Sequence, residues 1–225
     1  MGVAGGIASK IAGKPEGFRH VRAFLADEEV QALNELIARN DGLYTEVHGK
    51  GGLGPKYRVI DGDQILARLP AIAALGASRV RPLAEDFAGH PLQPLTSSKR
   101  AQRVQSYSRR EHGFRWHFDG HAFVALVTLE NGNEGQTHFI SPRLSRWMRF
   151  LLYPLYPFPQ LFSALPYEVV TARPGDLLVM RGARVLHRGV SRADAGRRVL
   201  LAFTFDPPGK KANPFRDAVA RRLNY

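Results

Sequence analysis

Apolar and polar residues repeat with a helical period in the first part of the chain. Within residues 19–40, an apolar stripe is formed at helical spacing by Val30, Leu33, Leu36 and Ile37. Residues 62–88 show the same period and predict one or two further helices, interrupted at Pro70 and Pro82. The pattern therefore predicts a helical layer over residues 19–90.

After residue 100 the period changes from about 3.6 to two, which is typical of strands. The segment "RVQSYSR" alternates, "AFVALVTLE" is a strongly apolar strand, and "NGNEG" predicts a turn before the return strand "QTHFI". The segment "YEVVTARPGDLLVM" predicts two strands around a Pro-Gly-Asp turn, and "RRVLLAFTF" a last buried strand. Short strands separated by turns favour an antiparallel sandwich or barrel over residues 100–206.

The chain has 225 residues, which suits one domain with a sizeable core. We expect a loose N-terminal tail over residues 1–18 and a single domain over residues 19–225. The tail lacks the long apolar run of a signal peptide, so we expect a cytoplasmic protein. Near the end, residues 213–223 form an amphipathic pattern that predicts a short helix.

An apolar insertion, residues 142–166, interrupts the β-core. Its residues 150–167 carry no charge, a length at the lower limit of a membrane span. Four prolines argue against a spanning helix, so we expect no transmembrane segment. We predict instead a lid or side wall over an active-site mouth. A homodimer contact or a membrane-surface patch is the alternative.

Composition excludes some chemistry and leaves other partners open. The chain has no cysteine, which excludes thiolate nucleophiles, disulfides and cysteine-ligated metal centres. Its formal net charge of +12 is compatible with an anionic partner, including nucleic acid. Because no block of five or more basic residues occurs, charges spread over a solvated surface are the simpler interpretation.

The segment "RWHFDGH", residues 115–121, holds the most informative polar cluster. In an extended strand His117 and Asp119 point to the same face. His187, in "RVLHRGV", is the best candidate for a third ligand. Two histidines and one carboxylate on one side of a metal are typical of non-haem Fe(II), although zinc also accepts these ligand types.

Together these segments resemble the Fe(II)/2-oxoglutarate-dependent dioxygenases, in particular their prolyl-hydroxylase-like branch. The resemblance covers residues 19–206 and rests on Tyr107, "WHFD", "NEGQTHFI" and the segment from "PGDLLVM" to "RRVLLAFTF". It implies a mainly β fold with flanking helices, whose core is a double-stranded β-helix of the jelly-roll, cupin-like kind. In this resemblance His117, Asp119 and His187 match the iron ligands.

The resemblance also implies the binding residues of the cosubstrate. A basic residue about ten positions after the second histidine binds the distal carboxylate of 2-oxoglutarate in the family, and here Arg197 and Arg198 compete for this role. The family's Gly-x-Arg spacing selects Arg198, whose planar fork suits a carboxylate. Tyr107 matches a strand tyrosine that hydrogen-bonds the cosubstrate.

The implied reaction uses Fe(II), O2 and 2-oxoglutarate and releases succinate and CO2 as a substrate C–H becomes C–OH. We favour a small-molecule substrate, amino-acid-derived or a natural product, with an anionic or apolar part. Alternatives are a prolyl-type protein hydroxylase, a nucleic-acid oxidative demethylase and a non-enzymatic cupin-like binding module. Nucleic-acid demethylases carry a second arginine six residues after the first, where this chain has Thr204. Substrate contacts are predicted for His121, Trp116 and Arg115.

Overall fold

The computed structural model describes residues 17–48, 56–108, 113–132, 134–147, 159–191 and 196–210. The predicted C-terminal helix, 213–223, and all but the end of the predicted tail, 1–18, lie outside these residues, and nothing is stated of their structure. Among the helices of the described part, none is both long enough and apolar enough to cross a membrane.

Five α-helices lie in the first half of the described chain. They are α1 (Asp27–Arg39), α2 (Gly62–Arg68), α3 (Pro70–Leu75), α4 (Arg81–Ala88) and α5 (Ser98–Ala101). Asp61 caps the N-terminus of α2: its side chain accepts hydrogen bonds from the backbone N–H groups of Asp63 and Gln64, both at 3.1 Å. Pro70 begins α3, as predicted. Pro82 does not interrupt the helix, because a π-helical segment over residues 76–80 leads directly into α4.

The strands form two antiparallel sheets. The large sheet contains β1 (Phe18–Val21), β2 (Thr45–His48), β3 (Lys56–Ile60), β4 (Gln93–Pro94), β5 (Gln102–Tyr107), β7 (Phe123–Asn131), β10 (Leu177–Met180) and β12 (Arg198–Asp206). The small sheet contains β6 (Phe114–His117), β8 (Gln136–Ile140), β9 (Tyr167–Val170) and β11 (His187–Val190). The strand orders are β1-β10-β7-β12-β5-β3-β2, with β4 beside β12, and β6-β11-β8-β9.

The predicted helical layer, residues 19–90, also contains strands. Three strands in or next to this region, β1, β2 and β3, extend the large sheet at its two edges. β1 and β2 are four residues long and lack the alternating apolar pattern that marks a half-buried strand, whereas β3 shows it in Tyr57 and Val59. Their position is determined by backbone hydrogen bonds to strands that are distant in sequence.

Two pairs of successive strands do not form the hairpins that the turns suggested. β7 lies in the large sheet and β8 in the small one, and the chain crosses again between β9 and β10. Such crossings are how a jelly roll builds two facing sheets from one chain. The predicted fold class, a jelly-roll β-core with helices packed on it, is confirmed.

The apolar core has two layers because the large sheet is covered on both faces. Along β10, Leu177 and Val179 face the helices, whereas Leu178 and Met180 face the small sheet. This double burial explains why "LLVM" is continuously apolar instead of alternating. The space between the sheets is filled at one end by a cluster of Val124, Phe139, Leu178, Met180 and Val185, hereafter the inter-sheet cluster.

Candidate active site

Two histidines meet on neighbouring strands of the small sheet. His117 ends β6 and His187 begins β11, and the two are direct partners across the antiparallel pair. Their side chains therefore project from the same face of the sheet, with ring centroids 4.3 Å apart. Both side chains are largely buried, with 12% of His117 and 7% of His187 exposed.

Asp119 joins the histidines from a loop, not from a strand. The strand β6 ends at His117, so Asp119 does not share a strand face with His117 as predicted, although it reaches the same site. The backbone N–H of Asp119 instead donates to the carbonyl of Gly182, at 3.0 Å, which fixes the loop just after β6. The carboxylate lies between the rings: Oδ1 is 3.3 Å from His117 Nε2, and Oδ2 is 3.4 Å from His187 Nε2.

Backbone carbonyls orient both imidazole rings. His117 Nδ1 lies 2.7 Å from the carbonyl oxygen of Arg115, and His187 Nδ1 lies 2.9 Å from that of Val185. A carbonyl oxygen only accepts, so each Nδ1 carries the proton and each Nε2 faces Asp119. Hydrogen bonding at the outer nitrogen is how proteins orient histidines that bind metals.

Burial and mutual charge determine the protonation of the three residues. Burial alone would raise the pKa of Asp119, but the two histidines outweigh it and hold that pKa well below its usual value. Burial lowers the pKa of His187 to about 4. For His117, burial is outweighed by the hydrogen bond and charge of Asp119, which raise its pKa. Asp119 is thus an anion beside a neutral His187, the forms in which these side chains bind metals.

The three residues fit a metal ion. One ligand atom from each lies within 4.8 Å of the others. Asp119 Oδ2 is buried without a hydrogen-bond partner, a costly state that a cation would relieve. Two imidazoles and one carboxylate on one side leave the opposite side open, as in non-haem Fe(II) sites.

Gly182 is required for the position of the Asp119 carboxylate. A Cβ atom built on Gly182 would overlap that carboxylate, whereas a Cβ atom on Gly120 meets nothing within 4 Å. We therefore expect Gly182→Ala to weaken Fe(II) binding about tenfold, the size of effect usual for residues that orient metal ligands. Metal titration of this variant and of Gly120→Ala, the matched control, measures it. Equal affinities in the two variants would contradict this role.

Arg198 begins β12 of the large sheet and faces the three candidate metal ligands, His117, Asp119 and His187, hereafter the metal cluster. Only 4% of Arg198 is exposed. Its guanidinium reaches the small sheet, where Nη2 donates to Thr137 Oγ1 at 3.2 Å and Nη1 donates to the Gln136 carbonyl at 3.4 Å. Its Nε has no hydrogen-bond partner, and burial lowers the pKa of the guanidinium. No carboxylate of the described residues forms an ion pair with it. A buried cation in this state is suited to bind an anion.

The neighbouring Arg197 faces away from this pocket. Its Nε and NH2 donate to Glu130 Oε2 at 2.9 and 2.8 Å, and about a third of the side chain is exposed. Burial lowers the pKa of Arg197, but its pairing with Glu130 outweighs this effect and raises it. Of the two arginines proposed from sequence, only Arg198 therefore lines the cavity.

Tyr107 is the direct partner of Arg198 across the β5–β12 pair. Its hydroxyl donates to Gln105 Oε1 at 3.0 Å, and burial, reinforced by Tyr57, raises its pKa. It therefore stays neutral and can donate or accept a hydrogen bond. Sequence reasoning missed Gln105 and Thr137, because a polar residue within a strand gives no sign of which face is functional.

The predicted substrate residues separate into two groups. His121 lines the cavity that holds the metal cluster and Arg198. Trp116 does not: it is 3% exposed on the opposite face of β6, packed with Ile140, Phe162 and Leu186. Arg115 is exposed outside the cavity lining. Strand alternation explains the position of Trp116. Arg115 departs from alternation because the β6–β11 pair is irregular: His117 pairs with His187 and Phe114 with Gly189, which leaves one extra residue on β6.

The described ends of the apolar insertion also lie away from the cavity. Leu144, Phe162 and Leu165 pack with Trp116 on the outside of the small sheet, so the lid prediction is wrong for these residues. Residues 148–158 lie outside the described part. Trp147 is 74% exposed beside this region, and a dimer contact through the insertion stays a prediction.

Several solved structures have a similar fold. The carbocyclase SnoK of nogalamycin biosynthesis, a non-haem alpha-ketoglutarate-dependent enzyme, is 16% identical, with a TM-score of 0.66 over 92% of this chain and 87% of its own. HygX from Streptomyces hygroscopicus, with nickel, 2-oxoglutarate and hygromycin B bound, is 17% identical, with a TM-score of 0.67 over 87% and 85%. A Pseudomonas putida prolyl-4-hydroxylase is 17% identical, with a TM-score of 0.55 over 86% and 94%.

By sequence, no protein-family profile and no curated protein matches the chain. The structural likeness extends over most of each molecule, and identities below 25% establish the shared fold only. The predicted resemblance is confirmed at the level of the fold, and a prolyl-4-hydroxylase is among the similar structures. The chain has the jelly-roll fold of the 2-oxoglutarate- and iron-dependent oxygenases.

Proposed function

We propose that the protein is an Fe(II)- and 2-oxoglutarate-dependent dioxygenase that hydroxylates a C–H bond of a small molecule. One observation carries the proposal: a His-Asp-His cluster and a buried Arg198 without a carboxylate partner among the described residues line the same cavity. A metal cluster alone would suit many functions. With one end of 2-oxoglutarate at the metal, the guanidinium of Arg198 provides a second anchor for the carboxylate at its other end.

Each residue has a distinct role in this proposal. His117, Asp119 and His187 hold Fe(II), which with O2 and 2-oxoglutarate supplies the oxidising power: one oxygen atom enters the substrate and the other enters succinate, with loss of CO2. Arg198 pairs with the distal carboxylate of 2-oxoglutarate, and Tyr107 offers it a neutral hydroxyl. The burial of both side chains excludes water and strengthens the ion pair.

A small-molecule substrate is favoured by the cavity and by the comparisons. The site lies between two sheets, and the apolar side chains of Val124, Leu126 and Leu200 line it. SnoK belongs to a natural-product pathway, and HygX was solved with hygromycin B bound. The prolyl-4-hydroxylase has a lower TM-score, although its presence keeps a protein side chain as the second candidate.

Anaerobic optical spectroscopy tests the reaction class. We expect Fe(II) and 2-oxoglutarate together to give a visible charge-transfer band that neither gives alone, because the cosubstrate chelates the metal. His117→Ala should lose the band, whereas His90→Ala, which changes an exposed histidine, should keep it. A wild-type protein that demonstrably holds iron and shows no band with 2-oxoglutarate would contradict the proposal and favour a cupin-like binding module.

A further inference from the structure

We propose that the end of the cavity remote from Arg198 is a substrate-anchoring site made by Arg100 and Arg103. We infer that the substrate carries a carboxylate or phosphate group separated by an apolar part from the carbon that reacts. This inference rests on the proposed function, since it assigns the Arg198 end of the cavity to 2-oxoglutarate.

The floor of the cavity is a ladder of paired residues from β5 and β12. Side chains two residues apart in a strand face the same way, and three successive pairs line the cavity. In order, these pairs are Tyr107 with Arg198, Gln105 with Leu200, and Arg103 with Ala202. The position of each side chain along the cavity therefore follows from the strand register.

Arg103 lies four residues from Tyr107 on β5, a distance of about 13 Å along the strand. Its Nε donates to the carbonyl of Lys99 at 3.2 Å, and its NH1 lies 3.5 Å from the Tyr57 hydroxyl. These contacts hold the half-buried guanidinium at the cavity wall. The partner position on β12 is Ala202, whose small side chain leaves the space beside Arg103 to a ligand.

Arg100 reaches the same end of the cavity from α5, and β12 holds its backbone in place. The hydroxyl of Thr204, itself a lining residue and 9% exposed, donates to the carbonyl of Arg100 at 2.5 Å. Thr204 occupies the position at which nucleic-acid demethylases carry a second arginine. In this chain it instead holds the backbone of Arg100, which belongs to α5.

The arginine end of the cavity also carries apolar side chains. Across the β7–β12 pair, Leu126 lies opposite Ala202 and Val124 opposite Thr204, and Leu200 lies one ladder pair nearer to Arg198. Of the described residues that line the cavity, Asp119 is the only carboxylate, and it belongs to the metal cluster.

Two guanidinium groups beside apolar side chains select for an anion that carries an apolar part. Arginine donates in a planar fork that matches the oxygens of carboxylates and phosphates. In such a site the arginines hold the anion, and Val124, Leu126 and Leu200 contact the apolar part of the substrate. This would place a carbon near the metal cluster, a positioning function that accelerates a reaction by fixing its geometry.

Isothermal titration calorimetry tests the inference with anaerobic, Fe(II)-loaded protein in saturating 2-oxoglutarate. The probes are hexanoate and hexyl phosphate, with 1-hexanol as the neutral analogue. We expect at least one anionic probe to bind about tenfold more tightly than hexanol. Arg103→Gln and Arg100→Gln should each weaken this binding about tenfold and leave hexanol unchanged, and Arg103→Lys should lose less.

Arg39→Gln is the matched control, since it removes the same charge from an exposed residue on α1. It should bind all probes as the wild type does. Failure of both anions to exceed hexanol, an equal loss in Arg39→Gln, or displacement of the anions by 2-oxoglutarate would each overturn the inference. So would a single-stranded oligonucleotide that binds through Arg100 and Arg103 when neither small anion does.

The charge-transfer band separates this failure from failure of the proposed function. If the wild type shows the band but the anions bind no better than hexanol, only the anchoring site is wrong. If the band is absent from iron-loaded protein, the proposed function itself fails.

Discussion

Asp119→Ala is expected to abolish stable Fe(II) binding and, with it, all turnover of 2-oxoglutarate. The carboxylate supplies the negative charge of the cluster and lies within 3.4 Å of both histidines, so its loss removes a ligand and the charge that favours a cation. Changes to residues that only orient ligands cost about 10- to 100-fold in metal affinity, and loss of a ligand should exceed that range.

Metal titration followed by a 2-oxoglutarate turnover assay measures this loss. Asp86→Ala is a matched control, because it removes an exposed carboxylate whose partner is Arg19 at the surface. Circular dichroism shows whether each variant is folded. If a folded Asp119→Ala protein binds Fe(II) as the wild type does, the metal site lies elsewhere.

Arg198→Met is expected to weaken 2-oxoglutarate binding by about 100-fold or more. Breaking a buried charge pair costs several kcal/mol, because the remaining carboxylate is left desolvated without its partner. Methionine is unbranched and apolar, and it fills much of the same space. The expected result is a large rise in the Kd for 2-oxoglutarate with little change in Fe(II) affinity.

Arg197→Met provides the comparison for Arg198, since it removes the same charge one residue away. Its guanidinium pairs with Glu130, so its loss should change 2-oxoglutarate affinity by less than about threefold, as for most partly exposed ion pairs. Titration of 2-oxoglutarate into both iron-loaded variants ranks them. A larger effect in Arg197→Met would assign the carboxylate to that residue instead.

Hydrophobic periodicity was sufficient to predict the β-core, because its central strands are strongly apolar. β7 and β12 were both predicted, and both are buried along most of their length. The allocation of strands to sheets was not predictable, since a turn between two strands does not show whether they pair or cross. β1 and β2 were missed because edge pairing depends on backbone hydrogen bonds, which leave little trace in side-chain pattern.

The candidate site was predictable only in part, and for physical reasons. His117 and His187 are on strands, so spacing indicated their direction. Asp119 reaches them through a backbone hydrogen bond to Gly182, a contact between segments 63 residues apart that no local pattern encodes. Arg100 is a similar case, because its position depends on α5 and Thr204. Long-range contacts of this kind are visible only in the folded chain.

In the proposed function, the residues that anchor 2-oxoglutarate belong to different sheets: the histidines to the small sheet and Arg198 to the large one. Because a dicarboxylate has a fixed length, its affinity depends on the distance between the two sheets. The inter-sheet cluster packs between the two sheets, and the backbone carbonyl of its Val185 also orients His187. Substitutions among those apolar side chains should therefore change cosubstrate affinity while the metal ligands stay unchanged.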